Sequence, residues 1–427
     1  MTQSKTKNDT AWEELFKTYD ILKHIADEGE FIISADQIRK VREPRLMAKC
    51  DNKKNLPSIF RANFLTILPI SRNKYLISQS CTYAKLENRD SHITTGYSLP
   101  NYIQSIDPQN IQSESVAINC AFASGILDNF LDDSNLIETL NGRMGSKEFD
   151  YYIRTPGEGK THHIHVNKSQ IEVDGAFEGI KYLSIIEAKL VVADDFLVRQ
   201  LYYPYRLFSS KVDKKVKSVF LVYSNGIYDL YEYEFPKLEC YNSLNLVKHK
   251  RYSFENIDIT SADLQNLINN TTVELTEPQI PFPQADSFDR LINLCESLKI
   301  QDLTLEDITI NNAFDIRQAR YYADAGRYLG LIMEEKSSYT LTNEGRDILQ
   351  LSYNQRQLRF ASCILKHRAF METYKISMTD GHIPDKLIIV GIMKNSSLYN
   401  IHTDSTFERR AQTIISWVNW ILRLITV

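Results

Sequence analysis

IEVDGAFEGIKYLSIIEAKLVVADDFLVRQLYYPYR, residues 171–206, is the stretch on which the fold turns. Asp174 stands near the end of one run of strand-type residues. Thirteen residues on, Glu187-Ala188-Lys189 interrupts a second run: Ile185 and Ile186 precede it, and Leu190, Val191 and Val192 follow. A short continuous apolar run of this kind reads as a strand buried at the centre of a sheet. Two charges inside such a strand are costly without compensating partners. The pattern therefore predicts that Glu187 and Lys189 lie at the strand's mouth and face a cleft. Residues two apart on a strand share a face, so the two side chains point the same way.

An acid followed by Glu-x-Lys suits phosphodiester cleavage. That reaction needs an activated water and neutralisation of the charge that develops on the scissile phosphate. A hard divalent ion with oxygen ligands serves both needs, and Mg²⁺ suits carboxylates while keeping several of its waters. Asp174 and Glu187 are the candidate metal ligands, with the Ala188 carbonyl as a third donor. Lys189 would contact the attacking water and the phosphate, and as an adjacent cation it keeps the carboxylates ionised. Glu-x-Lys by itself is a weak pattern, because on many strands it is only a solvated face. The apolar frame around it is what makes it informative here.

Around this core the alternatives stay open. Gln200 is either an amide that orients the catalytic face or a plain surface glutamine. Glu114 is either a further carboxylate of the cleft or simply a first-turn acid, which the helix dipole favours in any case. Glu138 and Glu148 are lesser candidates for the same role. Arg199, Arg206, Lys211, Lys214, Lys215 and Lys217 stand against a single acid, Asp213. That basic window is either a phosphate contact or a solvated charge run. His162, His163 and His165 have no spaced second pair and read as strand residues, not as a zinc site. Residues 156–161 end in Gly-Lys-Thr but lack a Walker loop's first glycine and its following helix, so a turn is expected there.

Outward from the core, the chain reads as three domains. Residues 1–105 form an N-terminal α+β accessory domain, with a helix over 12–25 and strands at 65–70 and 75–77. Residues 106–277 hold the core. Within it a helix is expected over 113–130, a helical turn at 135–140, a loop at 142–145, a helix over 196–208 that Pro204 ends or kinks, and a hairpin closed by Ser-Asn-Gly at 224–226. Helix, antiparallel strands, helix, strand, strand makes an α/β sandwich with a mixed central sheet. Residues 278–283 (PQIPFP) read as a linker. Residues 284–427 have the helix–helix–helix–hairpin order of a winged helix, followed by a helical tail with a helix over 355–374. Its third helix carries Arg317, Gln318 and Arg320, side chains suited to reading a major groove. The last helix offers Arg409 and Arg410.

Composition bounds the rest. The 427 residues carry a net charge of −4, so contact with nucleic acid would have to come from local patches. The six cysteines contain no C-x-x-C, the pattern of reduced intracellular thiols. With a polar start and no apolar run of membrane length, the expectation is a soluble cytoplasmic protein and no membrane partner.

Asp174…Glu187-Ala188-Lys189 resembles the motif of the PD-(D/E)xK nuclease superfamily, with Val173 in place of the usual proline. The segments VDGAFEG, IIEAKLVVADDFLVRQLYYPYR and VFLVYSNGIYDLYEYEF are similar to the catalytic domain of bacterial type II restriction endonucleases. PRLMAKCD, LPSIFRANFLTILPISR and STFERRAQTIISWVNWI are similar to that group's flanking domains. The resemblance implies a restriction-endonuclease-like core, Mg²⁺ as cofactor and cleavage of double-stranded DNA at a short specific sequence, by a homodimer; a repair or mobile-element nuclease on the same core and a non-catalytic winged-helix DNA-binding regulator stay open as alternatives. It also implies a cognate DNA methyltransferase in the same system. It carries Asp174 and Glu187 over as metal ligands and Lys189 as the catalytic lysine.

Overall fold

The computed structural model describes residues 5–87, 94–157, 159–255 and 257–425. The chain divides into two compact units, Met1–Tyr223 with Ile227–Tyr252, and Ser224–Gly226 with Ser253–Val427. Among the described residues no helix is long and apolar enough to cross a membrane.

The first unit is built on a seven-stranded sheet. Its elements in chain order are β1 (Thr94–Gly96), α1 (Glu114–Ala123), β2 (Ile137–Gly145), β3 (Gln170–Glu178), β4 (Tyr182–Lys189), α2 (Arg199–Ser209), β5 (Lys215–Ser224), β6 (Ile227–Glu234) and β7 (Asn245–Ser253). Across the sheet the strands run β1-β7-β6-β5-β4-β3-β2, so β4 lies inside it. It pairs antiparallel with β3 and parallel with β5, from Tyr182↔Lys215 to Lys189↔Val222. A parallel neighbour needs a crossover, and α2 supplies it. Mixed pairing and the central place of β4 agree with the α/β expectation.

Two helices cover opposite faces. Leu201, Tyr202 and Leu207 of α2 share a core with Leu183 and Ile185 of β4. On the other face, a Cβ placed on Gly175 would meet Ile118 of α1 at 3.3 Å. Phe122 of α1 packs on Phe177 with ring centroids 4.9 Å apart. The start of β4 is fixed by a carboxylate. Asp133 accepts from the N–H groups of Lys181 (3.1 Å) and Tyr182 (2.9 Å).

Several local expectations are corrected. The helix expected over 113–130 is two helices, α1 and Ile126–Leu131, parted at Gly125 with φ 81. Residues 137–145 form the edge strand β2, where a helical turn and a loop were expected. Pairing with β3 overrides weak local periodicity there. Phe196 and Leu197 lie in a short strand, Asp195–Leu197, paired with Tyr83–Lys85, and the helix starts only at Arg199. Pro204 does not end it. α2 runs on to Ser209, and the ring costs one bond, the one that the carbonyl of Gln200 would accept. The helices expected over 12–25 and 355–374 are each broken in two, the first at Asp20 in the left-handed region.

The rest of the first unit holds a three-stranded antiparallel sheet, Glu30–Ser34, Lys74–Ser78 and Thr66–Pro69 in that order across it. The hairpin Phe149–Arg154/Thr161–Val166 encloses the turn expected at 156–161, of which Glu158 lies outside the described residues.

The second unit contains α3 (Phe288–Ile300), β8 (Leu303–Thr304), α4 (Leu305–Asn311), α5 (Ile316–Tyr328), β9 (Ile332–Glu335), β10 (Ser338–Leu341) and, at its end, α6 (Asp404–Leu422). β8, β10 and β9 form a small antiparallel sheet. Thr342 caps the next helix by accepting from Gly345 N–H at 3.0 Å. A Cβ on Gly345 would lie 2.4 Å from the Leu331 carbonyl oxygen, so the position has room for glycine only. Trp417 and Ile421 of α6 are fully buried in this unit's core. Phe282 and Ala285 share that core, so the expected linker is anchored on its C-terminal side.

Candidate active site

The described β3–β4 pairing ends at Ile186↔Gly175, one step before Asp174 and Glu187. Beyond it the Asp174 side chain takes over from the ladder. Its Oδ2 accepts from Ala188 N–H at 2.9 Å. On its other side β3 carries a bulge. Between Leu140↔Ala176 and Gly142↔Val173 it spends three residues where β2 spends two. Ile171, Val173 and Ala176 all belong to the α2-side core, which plain alternation would not allow. The bulge therefore sits at Asp174 and Gly175, beside the face that Ile185 and Glu187 share. Bulges next to functional sites often re-aim a side chain.

Glu187 and Lys189 share that face. Lys189 Nζ donates to Glu187 Oε1 at 2.5 Å and lies 3.7 Å from Glu114 Oε1 at the first turn of α1. Gln200 Nε2, from the second residue of α2, donates to the same Glu187 oxygen at 2.6 Å. Glu187 is 6 % exposed. Asp174, Glu187, Lys189, Gln200 and Glu114 are thus gathered by four elements. Gln200 is bonded to Glu187 directly, while the Glu114 side chain is 43 % exposed and only approaches Lys189.

The electrostatics follow from burial. Burial pushes the Glu187 carboxyl up to about 8; Lys189 opposes this and Asp174 adds to it. Asp174 and Glu114 are also raised, again chiefly by burial, with Lys189 opposing. Burial disfavours the Lys189 charge, but Glu187 and Glu114 outweigh it and hold the ammonium protonated above its usual range. One ammonium therefore serves several carboxylates. Such a centre is short of positive charge, and Gln200 Oε1 is buried with no hydrogen-bond partner. Among the described residues no three His, Cys, Asp or Glu side chains form a ready metal cage. Asp174 and Glu187, with the Ala188 carbonyl, would offer oxygen donors only. That fits an oxygen-preferring cation that retains water, such as Mg²⁺, and does not fit a closed zinc site.

The basic window is mostly tied down. Arg206 donates to the carbonyls of Asp150 (3.0 Å) and Leu238 (2.8 Å). Lys214 pairs with Glu178 at 2.7 Å. Lys217, read as either a phosphate contact or part of a solvated run, is buried and pairs with Glu232 at 3.2 Å, because it lies on central strand β5. Lys215 is exposed, and Arg199 is half-buried over the Tyr203 ring at 5.6 Å. The histidines pair with acids: His162 with Glu30 at 2.7 Å, and His163 and His165 with Asp150 at 3.3 and 3.0 Å. In the second unit Arg317 and Arg320 are exposed on α5, while Gln318 closes its N-terminal capping box. Arg317 and Arg410 lie over one ring, Tyr321, at 5.2 and 5.7 Å. Arg410 also donates to Gln284, and Arg409 is exposed.

Asp51 escaped the sequence reading. It lines a pocket together with Asn52, Lys189, Asp195 and Gln200. No spacing rule links residue 51 to residue 189, and only the pairing of its neighbours with Asp195 brings it there.

The chain matches three family models, and each describes a domain of unknown function. The matches are DUF6996 over residues 9–77, DUF6997 over 78–253 and DUF7226 over 290–426. Asp174, Glu187, Lys189, Gln200 and Glu114 all fall in the middle match, and Asp51 in the first. No curated protein and no solved structure matches the chain.

Proposed function

We propose that the chain is a Mg²⁺-dependent endonuclease with a PD-(D/E)xK-type core, hydrolysing double-stranded DNA at a short specific sequence as type II restriction enzymes do. The observation that carries this is the convergence of Asp174, Glu187 and Lys189 at the mouth of a central strand, with the acids short of positive charge. Asp174 and Glu187, with the Ala188 carbonyl, are the residues that would hold the cation. When bound, the cation supplies Lewis-acid activation of water and neutralises phosphate charge. The chain's own part is positioning. Ala188 N–H fixes the Asp174 carboxylate, and Gln200 fixes that of Glu187. Lys189, held between Glu187 and Glu114, presents a permanent positive charge to a phosphate oxygen or an attacking water.

The three-helix and small-sheet part of the second unit supports a winged-helix reading, with Arg317 and Arg320 of α5 and Arg409 of α6 as exposed DNA contacts. A homodimer acting on duplex DNA in the cytoplasm of a bacterium, beside a methyltransferase that protects the host, completes the proposal. Digestion of DNA of known sequence with Mg²⁺, followed by mapping of the ends, tests it. Cuts at one short repeated sequence are expected, and unbroken DNA or randomly placed ends would refute it. Lys189→Ala should lower the cleavage rate at least about a hundredfold, as loss of a preorganised charge does, while leaving DNA binding nearly intact. Equal cleavage by variant and wild type would remove the site assignment.

A further inference from the structure

Strand β2 is the outer strand of the seven-stranded sheet, and among the described residues no further strand pairs with its other side. Only Leu140 and Met144 of Ile137–Gly145 are part-buried; the rest are exposed, Ile137 by 65 %. An open edge of this length is a template for another strand.

The two faces of β2 follow from β3. Phe177 packs on α1, whereas Ile171 and Val173 belong to the α2-side core, so Glu172 between them points to the α1 side. Glu138 stands opposite Phe177 and Arg143 opposite Glu172, which puts both charges on the α1 side. Leu140 and Met144 pack against the α2-side core, and Ile137, one step from Glu138, lies on that side too. Between Glu138↔Phe177 and Leu140↔Ala176 the strand spends one extra residue, Thr139. Glu138 and Thr139 together therefore oppose a single residue, as in a bulge.

Charges on an edge strand usually turn other strands away. These two have opposite signs and sit on either side of Asn141, so β2 complements itself. Laid antiparallel against a second copy, Glu138 with Thr139 faces Arg143 of that copy, and Ile137 faces Met144. Leu140 faces Gly142, which has no side chain to obstruct it, and Asn141 meets its own counterpart. Each pair joins residues of one face, opposite charges on the α1 side and apolar groups on the α2 side. A slip of one residue would set charge against apolar surface. Two-fold symmetry makes each pair occur twice. Within one copy Arg143 has a single exposed acid, Glu172 at 3.2 Å, and the second copy adds a carboxylate on its other side.

We propose that this edge is the interface between two copies of the chain, paired antiparallel about Asn141 into one continuous sheet. The proposal deepens the homodimer of the nuclease reading and rests on that reading only for the expectation of a second copy. It places the two centres on the same face of one sheet, with β3 and β2 of each copy between them.

The test is sedimentation equilibrium of the full chain without DNA, over a range of protein concentrations, for wild type, Glu138→Arg, Arg143→Glu and the variant carrying both changes. Both positions are exposed, so all four should melt alike, and thermal melting checks this. Wild type should dimerise. Each single reversal sets like charges opposite one another at two places and should weaken the dimer about tenfold. The double variant should regain most of that loss, which a merely disturbed strand would not. A monomeric wild type, single variants that dimerise as wild type does, or a double variant no better than the singles overturns the interface. Sequence-specific cleavage by wild type alongside any of those results leaves the nuclease reading standing. Loss and rescue of the dimer without cleavage removes that reading and keeps the interface.

Discussion

At the scale of single residues, Glu187 is the least comfortable side chain in the centre. Its carboxyl is raised from 4.5 to about 8, first by burial, and Lys189 and Gln200 both crowd one of its oxygens. A raised acid binds its proton more tightly in the folded chain than in the unfolded one. Its contribution to stability is therefore complete below about 4.5 and is lost as the pH rises through about 8. Glu187→Gln carries no such titration. Its melting temperature should rise relative to wild type as the pH goes from about 5 to about 9, and a constant difference would contradict the assignment. Cation binding must displace the same proton, so Mg²⁺ affinity of the wild type should increase over that range. The pairing of Glu187 with Lys189 was legible in the sequence because two charges broke an apolar run. The reach of Gln200 was not, because it depends on where α2 begins, and Asp195–Leu197 takes residues that looked helical.

At the scale of elements, the bulge in β3 and the cap on β4 do most to set the site. Strand and hairpin positions could be read from the sequence wherever apolar runs alternated with turn residues, as at Asn225-Gly226, whose φ values of 53 and 78 suit a tight hairpin turn. The bulge could not, because it is a mismatch between two strands and leaves no mark on either one alone. β2 was missed for a related reason: most of its side chains are exposed, so no burial pattern marked it. The start of β4 offers a direct check. A Cβ on Gly179 would stand 2.5 Å from Asp133 Oδ2, the carboxylate that receives Lys181 and Tyr182 N–H. Gly179→Ala should therefore cost roughly 1–3 kcal/mol in chemical denaturation. It should also lower cleavage by loosening β4, and a variant as stable as wild type would mean that the cap can yield.

At the scale of the whole molecule, charge is the governing fact. A chain of net charge −4 is repelled by DNA on average, so binding has to be concentrated in small patches. Lys214 and Lys217, which looked available, are spent on Glu178 and Glu232. The exposed arginines of α5 and α6 are the better candidates. If Arg317, Arg320 and Arg409 touch phosphates, replacing any one by alanine should lower the slope of log affinity against log salt by about one. A slope that does not change would move the DNA contact elsewhere.

The parallel pairing of β4 with β5 also bears on the order of events during synthesis. A nascent chain that has just exposed residue 200 already carries Asp174, Glu187, Lys189 and Gln200. Its central strand still lacks the neighbour that reaches Val222. Contacts so far apart along the chain form late, since loop closure must come first. The acids and the lysine are thus made early but framed late, and the ribosome releases most of the first unit before those side chains have a fixed place to act from.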